Sequence, residues 1–346
     1  MRRAPAHAGG LKPWERLAFA LAFALMAAFV AVVTISAVRA REHGGPPEAP
    51  ASTSQTPQVG GAAPGSPPSH GTGGRPAPAP SEPSAAARDR QLAAALAPVL
   101  LHHAGHLAVG VIDRTTGARA VYDGRRRFAA GGIIRADILA VLLLRNQQAG
   151  TVFGEGELRL AAQMIETDDA SAAAELWQDA GGPGGVAEAN VALGLRHTTP
   201  GRGTDWPATS TTVLDQLRLL ANLTSAKSPL TAASRGYELS LMRSVRAGQA
   251  WGVPAAADSS LAVQDGGLAD PRLWAVSSVG VIRYAGQELL VAVLSDGQPT
   301  QRAGIAQDEA AAIAAVRQIT ASRVPGPVPG PGSAHAAGTR RRLMPG

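Results

Sequence analysis

The chain has 346 residues, a formal net charge of +6, 40 glycines, 26 prolines and no cysteine. Lack of cysteine removes disulfides, thiolate metal sites, a thiol nucleophile and a lipid-modified cysteine anchor together. The basic excess lies outside the part able to fold: from Arg88 to Ser322 there are 21 basic and 22 acidic side chains, which argues against a nucleic-acid interface. Lysine occurs only at Lys12 and Lys227, a bias toward arginine that fits a GC-rich genome.

Taken in order, residues 1–16 form a basic amino terminus with Arg2, Arg3, Lys12 and Arg16. Leu17 to Val38 is uncharged for about 22 residues, long enough to cross a bilayer as a helix. The preceding charges place the amino terminus inside and the remainder outside. A cleaved signal peptide is the alternative, with secretion as its consequence. Residues 39–87 are rich in Pro, Gly, Ala and Ser without an apolar period, and read as a disordered linker with a reach on the order of 40 Å. Residues 323–346 read as a second such segment, ending in a basic cluster.

Between them, residues 88–322 carry the periodic patterns of a folded domain. A helix is expected from Arg88 to His103, then a hairpin of Leu107 to Asp113 and Ala118 to Tyr122. Phe128 to Leu144 is the most apolar stretch, a glycine turn feeding a helix from Ile133 to Gln148 that must be buried on most sides. Alanine-rich helices follow at Gly156–Met164, Ala170–Gln178, Val186–Leu193, Thr212–Leu223 and Thr231–Arg246. Strands at Ser260–Gln264, Trp274–Tyr284 and Glu288–Leu294 precede a closing helix at Gln307–Thr320. Two strands, a helical block, three strands and a helix do not make the βαβα rhythm of a doubly wound sheet. They imply an α/β fold with an antiparallel sheet of about five strands, flanked by the terminal helices, with an inserted helical subdomain.

That order resembles the class A serine β-lactamases and their penicillin-binding relatives over roughly Leu107 to Thr320. Asp113-Arg114-Thr115-Thr116-Gly117 with Tyr122 and Phe128 is similar to the approach to the family's nucleophile helix. Met164-Ile165-Glu166 with Leu176-Trp177 and Gly181-Gly182 is similar to the surroundings of its second motif. Thr211-Thr212 with Asp215, and Gln249-Ala250-Trp251-Gly252, resemble an actinobacterial branch; Trp274 and Val279-Gly280 fit the final strands.

The family's chemistry uses Ser-x-x-Lys, Ser-Asp-Asn and Lys-Thr-Gly. The resemblance puts the serine at Gly132 and the lysine at Arg135. Glycine has no oxygen to acylate, and arginine stays protonated and cannot serve as a base. The second motif lands on Asp168-Asp169-Ala170, or with a one-residue shift on Thr167-Asp168-Asp169; neither has the amide. The third lands on Gln264-Asp265-Gly266, where a cation for a substrate carboxylate is replaced by an amide beside an acid. The loop from His197 to Ser210, where the deacylating glutamate would fall, holds only Asp205 as an acid.

Arg135 facing Asp168 or Asp169 would form an ion pair that serves either as an anion site or as the filling of a disused cleft. His197 reads as a surface residue, and His102, His103 and His106 as too poorly aligned for a metal. Arg125-Arg126-Arg127 reads as a solvated turn. Ser171, Ser277 and Ser278 lack an evident base, and Asn222-Leu223-Thr224 falls inside a helix. No cofactor or metal is implied. The expected protein is a membrane-anchored, extracytoplasmic β-lactamase-like module without catalysis, whose ligand by family analogy is a peptidoglycan fragment or a β-lactam. The alternative is an active serine hydrolase for a β-lactam or a peptidoglycan-related amide, with a relocated nucleophile.

Overall fold

The computed structural model describes residues 83–321 other than Pro271. The basic amino terminus, the expected span Leu17 to Val38, the linker as far as residue 82 and the tail 323–346 lie outside the described residues. No helix among the described residues is long and apolar enough to cross a membrane.

The first helix, α1 (Ala85–His102), begins three residues before the expected domain start because the Ser84 hydroxyl accepts from the Ala87 amide at 3.2 Å and caps it. The antiparallel hairpin β1 (His106–Asp113) and β2 (Arg119–Tyr122) follows. After the short strand β3 (Phe128–Ala129) and a 3-10 turn (Gly131–Ile133) comes the central helix α2 (Ile134–Ala149). The helical block continues with α3 (Glu155–Glu166), α4 (Ala170–Asp179) and α5 (Gly182–Leu193). Strand β4 (Ser210–Thr211) pairs with β3, and α6 (Val213–Thr224) and α7 (Ala232–Arg243) complete the block. Three long strands, β5 (Ser259–Asp270), β6 (Leu273–Tyr284) and β7 (Gln287–Gln298), lead into α8 (Gln301–Ala321).

The five long strands form one antiparallel sheet in the order β2-β1-β7-β6-β5, so the carboxy-terminal strands join the amino-terminal hairpin through β7. Alternation divides the side chains between two cores. Leu107, Val109, Val111, Leu289, Val291 and Val293 pack with Leu92 and Leu96 of α1 and with Ala312, Val316 and Ile319 of α8. Ala108, Leu290, Ala292 and Leu294 face the helical block, where Ile138, Leu139, Leu142 and Trp177 are buried. Gly110 sits on that second face because a Cβ there would lie 2.6 Å from Leu217 Cδ1.

The sequence reading is corrected at three boundaries. Strand β5 continues through Gly266-Gly267 to Asp270, held by its ladder to β6 out to Asp270 opposite Leu273. Helix α8 starts at Gln301, because the Thr300 hydroxyl caps the Ala303 amide at 3.1 Å. Helix α7 ends at Arg243 instead of Arg246.

Candidate functional site

The chain enters α2 through Ala130 and the turn Gly131–Ile133, with no side chain capping the turn. Gly131 adopts φ +55°, a conformation that favours glycine. The edge strand β5 lies directly against this turn. A Cβ on Gly132 would come within 2.7 Å of the Asp265 carbonyl oxygen and 2.7 Å of Gly266 Cα. A Cβ on Gly266 would come within 2.1 Å of Gly132 N. The two backbones therefore touch, and the position assigned to the nucleophile lacks both an oxygen and room for one.

One turn on, Arg135 is 5% exposed. Its Nη1 pairs with Asp168 Oδ1, its Nη2 donates to the Asp168 carbonyl at 3.3 Å, and its Nη1 also reaches the Gly132 carbonyl at 3.3 Å. The guanidinium lies 5.1 Å from the centre of the Trp206 ring. The 197–210 loop thus supplies an aromatic cover through Trp206, while its acid Asp205 is exposed. Burial lowers the Arg135 pKa and raises that of Asp168, and their mutual attraction offsets only part of each shift.

Asp168 holds φ +60°, and its carboxylate meets Arg135. Asp169 turns the other way and caps α4, accepting from the Ser171 and Ala172 amides at 2.8 and 2.9 Å. Ala170 is exposed on the first turn of α4. The structure therefore brings Gly132, Arg135, Asp168, Asp265 and Gly266 together and leaves Asp169 and Ala170 as elements of a helix start.

Gln264-Asp265-Gly266 lies on the edge strand β5, and Gln264 and Asp265 are 2% and 4% exposed. Asp265 Oδ2 accepts from the Trp251 amide at 2.7 Å, while no protein donor reaches Oδ1. The neighbouring Ser278 hydroxyl gives its proton to the Trp251 carbonyl at 3.0 Å and accepts from the Val253 amide at 2.9 Å. Burial pushes the Asp265 carboxyl well above its usual range, the Ser278 hydroxyl and Trp251 amide opposing this in part.

The remaining sequence candidates do not converge. His197 is exposed, with its backbone amide on Asp215 Oδ2 at 2.7 Å. His102 contacts the Pro98 carbonyl and His106 contacts Asp296; among the described residues no group of His, Asp and Glu is arranged to hold a metal ion. Arg126 lies near Asp123 and over Phe128, and Arg127 donates to Thr199. Ser171 is exposed, Ser277 is buried without a protein partner, and Ser278 is committed to backbone. Asn222 is buried and donates to the Leu193 carbonyl at 2.7 Å. Trp206 was missing from the sequence candidates, although a tryptophan beside the only acid of that loop was a visible signal in a chain so poor in aromatics.

No protein-family model and no curated protein matches the sequence. Solved structures do resemble the fold. A β-lactamase from Burkholderia vietnamiensis is 21% identical with a TM-score of 0.57, covering 68% of this chain and 97% of that one. A β-lactamase from Xanthomonas campestris is 19% identical at 0.56, covering 67% and 98%. An ancestral class A β-lactamase is 22% identical at 0.55, covering 65% and 99%. The domain has the class A β-lactamase fold, with its five-stranded antiparallel sheet and helical block.

Proposed function

We propose that this protein is a non-catalytic β-lactamase-fold module of the cell envelope, anchored through Leu17 to Val38 and presenting the domain outside the membrane. The observation that carries the reading is the closure of β5 on the head of α2. Acyl transfer needs a nucleophile within reach of a base. At Gly132 there is no side chain, and one turn on the Arg135 guanidinium is permanently protonated, covered by Trp206 and paired with Asp168. Of the nearby serines, Ser278 gives its proton to the Trp251 carbonyl and Ser277 is buried without a protein partner. By fold analogy the ligand is drawn from cell-wall chemistry. A peptidoglycan fragment is favoured over a β-lactam, since Gln264 and Asp265 offer no positive charge to a β-lactam carboxylate.

A labelling experiment tests this. The full-length chain is incubated with a fluorescent penicillin and, separately, with soluble peptidoglycan fragments. The expected result is no fluorescent band after denaturation and a reversible rise in Tm with the fragments. A band that survives denaturation contradicts the reading.

A further inference from the structure

Beside the closed helix head lies a pocket of about 230 Å³, walled by β5 and the 245–251 segment. Asp168, Gln249, Trp251, Gln264, Asp265 and Gln301 line it, and no lysine, arginine or histidine is among its lining residues. Three buried acceptors there have no protein donor: Asp265 Oδ1, Gln264 Oε1 and Gln249 Oε1. The amide nitrogens of the two glutamines are already committed to backbone carbonyls, Gln264 to Asp265 at 3.4 Å and Gln249 to Thr167 at 3.2 Å. Turning either amide over would set oxygen against oxygen, so the glutamine oxygens remain the free ends.

Buried acceptors without donors are costly. Three of them beside the Asp265 carboxyl, with the Asp168 carboxylate already paired with Arg135 and no cation lining the pocket, describe a site for a positively charged group with hydrogens to give. We propose that this pocket binds an organic cation rich in N–H donors, a primary ammonium or a guanidinium group. An ammonium has three donors for the three acceptors, and a guanidinium has more. The proposal names the ligand class of the binding reading above and rests on that reading for the pocket's role.

The surroundings reinforce this preference. Asp168, itself paired with Arg135, and Glu309 are the acidic neighbours acting on the Asp265 carboxyl, and Asp265 in turn acts on the buried Asp308. Burial pushes the Asp265 carboxyl well above its usual range.

Calorimetric titration of the full-length chain tests the proposal with n-propylammonium, methylguanidinium, tetramethylammonium and acetate as probes. Saturable binding of the first two is expected, with tetramethylammonium and acetate inert. Asp265→Asn should weaken propylammonium binding by about tenfold, the loss of one charge-assisted hydrogen bond. The site is refuted if neither donor-bearing cation binds, if tetramethylammonium or acetate binds as well as they do, or if Asp265→Asn leaves the affinity unchanged. Should that variant not fold, Gln249→Leu on the pocket wall replaces it, with several-fold weakening expected and unchanged affinity counting against the site. A penicilloyl adduct would overturn the non-catalytic reading and leave these heats as they are; absent heats would overturn the cation site alone.

Discussion

Gly132 and Gly266 are each other's steric limit: a Cβ on Gly266 would lie 2.3 Å from Gly132 Cα, and one on Gly132 would lie 2.7 Å from Gly266 Cα. The edge of the sheet and the head of its central helix approach so closely only because both residues are glycine. Elsewhere in the fold such an approach would be packing. Here it removes the space in which a nucleophile would stand.

Restoring side chains should therefore not restore chemistry. Gly132→Ser with Arg135→Lys is expected to give no measurable β-lactam turnover and to lose about 1–3 kcal/mol, the usual cost of forcing atoms into a filled site. Hydrolysis of a chromogenic cephalosporin and urea unfolding check the two halves. Turnover well above background would show that the closure yields.

Gly266→Ala carries the same clash without a polar group, its Cβ falling 2.1 Å from Gly132 N. Backbone atoms cannot move as a side-chain end can, so a loss of about 2 kcal/mol or more is expected. Gly248→Ala, with neither a positive φ nor anything within 4 Å of its Cβ, is the control for adding a methyl group alone. Equal losses in the two variants would mean that contact with Gly132 is not the cause.

The Arg135–Asp168 pair is expected to behave as a buried pair on one side and a half-screened one on the other, since the side chains are 6% and 40% exposed. Asp168→Asn keeps a residue tolerant of φ +60° but leaves the guanidinium without its counter-charge, at about 2 kcal/mol after allowing for solvent screening. Arg135→Met combined with Asp168→Asn should recover most of that loss. A double variant less stable than Asp168→Asn would show that the pair stabilises the fold.

Stability should fall as pH rises toward neutrality. Asp137, fully buried on α2, is pushed up to about 7 by desolvation, partly offset by the Gln216 amide at 3.2 Å. Its folded pKa exceeds its unfolded value, so the folded state holds the extra proton; the contribution is complete below about pH 4 and is lost through about pH 7. The loss is on the order of 4 kcal/mol. Buried Glu238, Asp265 and Asp308 are raised in the same direction and add to the slope. Asp137→Asn should flatten it between pH 5 and pH 8 in urea unfolding. A wild-type stability that rises over this interval, or a variant with an unchanged slope, contradicts the assignment.

Much of the fold was legible because it rests on local pattern. Leu107 to Asp113 alternates as a half-buried strand must, and the apolar run after Ile133 has no solvent face to offer. The pairing of Arg135 with Asp168 was also readable, since two opposite charges assigned to one cleft have few other partners. Contacts between distant backbones were not. Gly266-Gly267 reads as the end of a strand, and only the ladder to β6 shows that it continues. The touch of Gly132 on Gly266 joins residues far apart in sequence and depends on the absence of two Cβ atoms. The family pattern of the loop that holds Trp206 calls for an acid, while the structure uses the loop for an aromatic cover over Arg135.

The most direct measurement is the intact mass of the full-length protein after prolonged exposure to benzylpenicillin and to a fluorophosphonate. The mass is expected to stay that of the unmodified chain with both reagents. A gain equal to one penicilloyl or phosphonyl group, traced by peptide sequencing to any residue around Gly132, would mean that a nucleophile reaches this site after all.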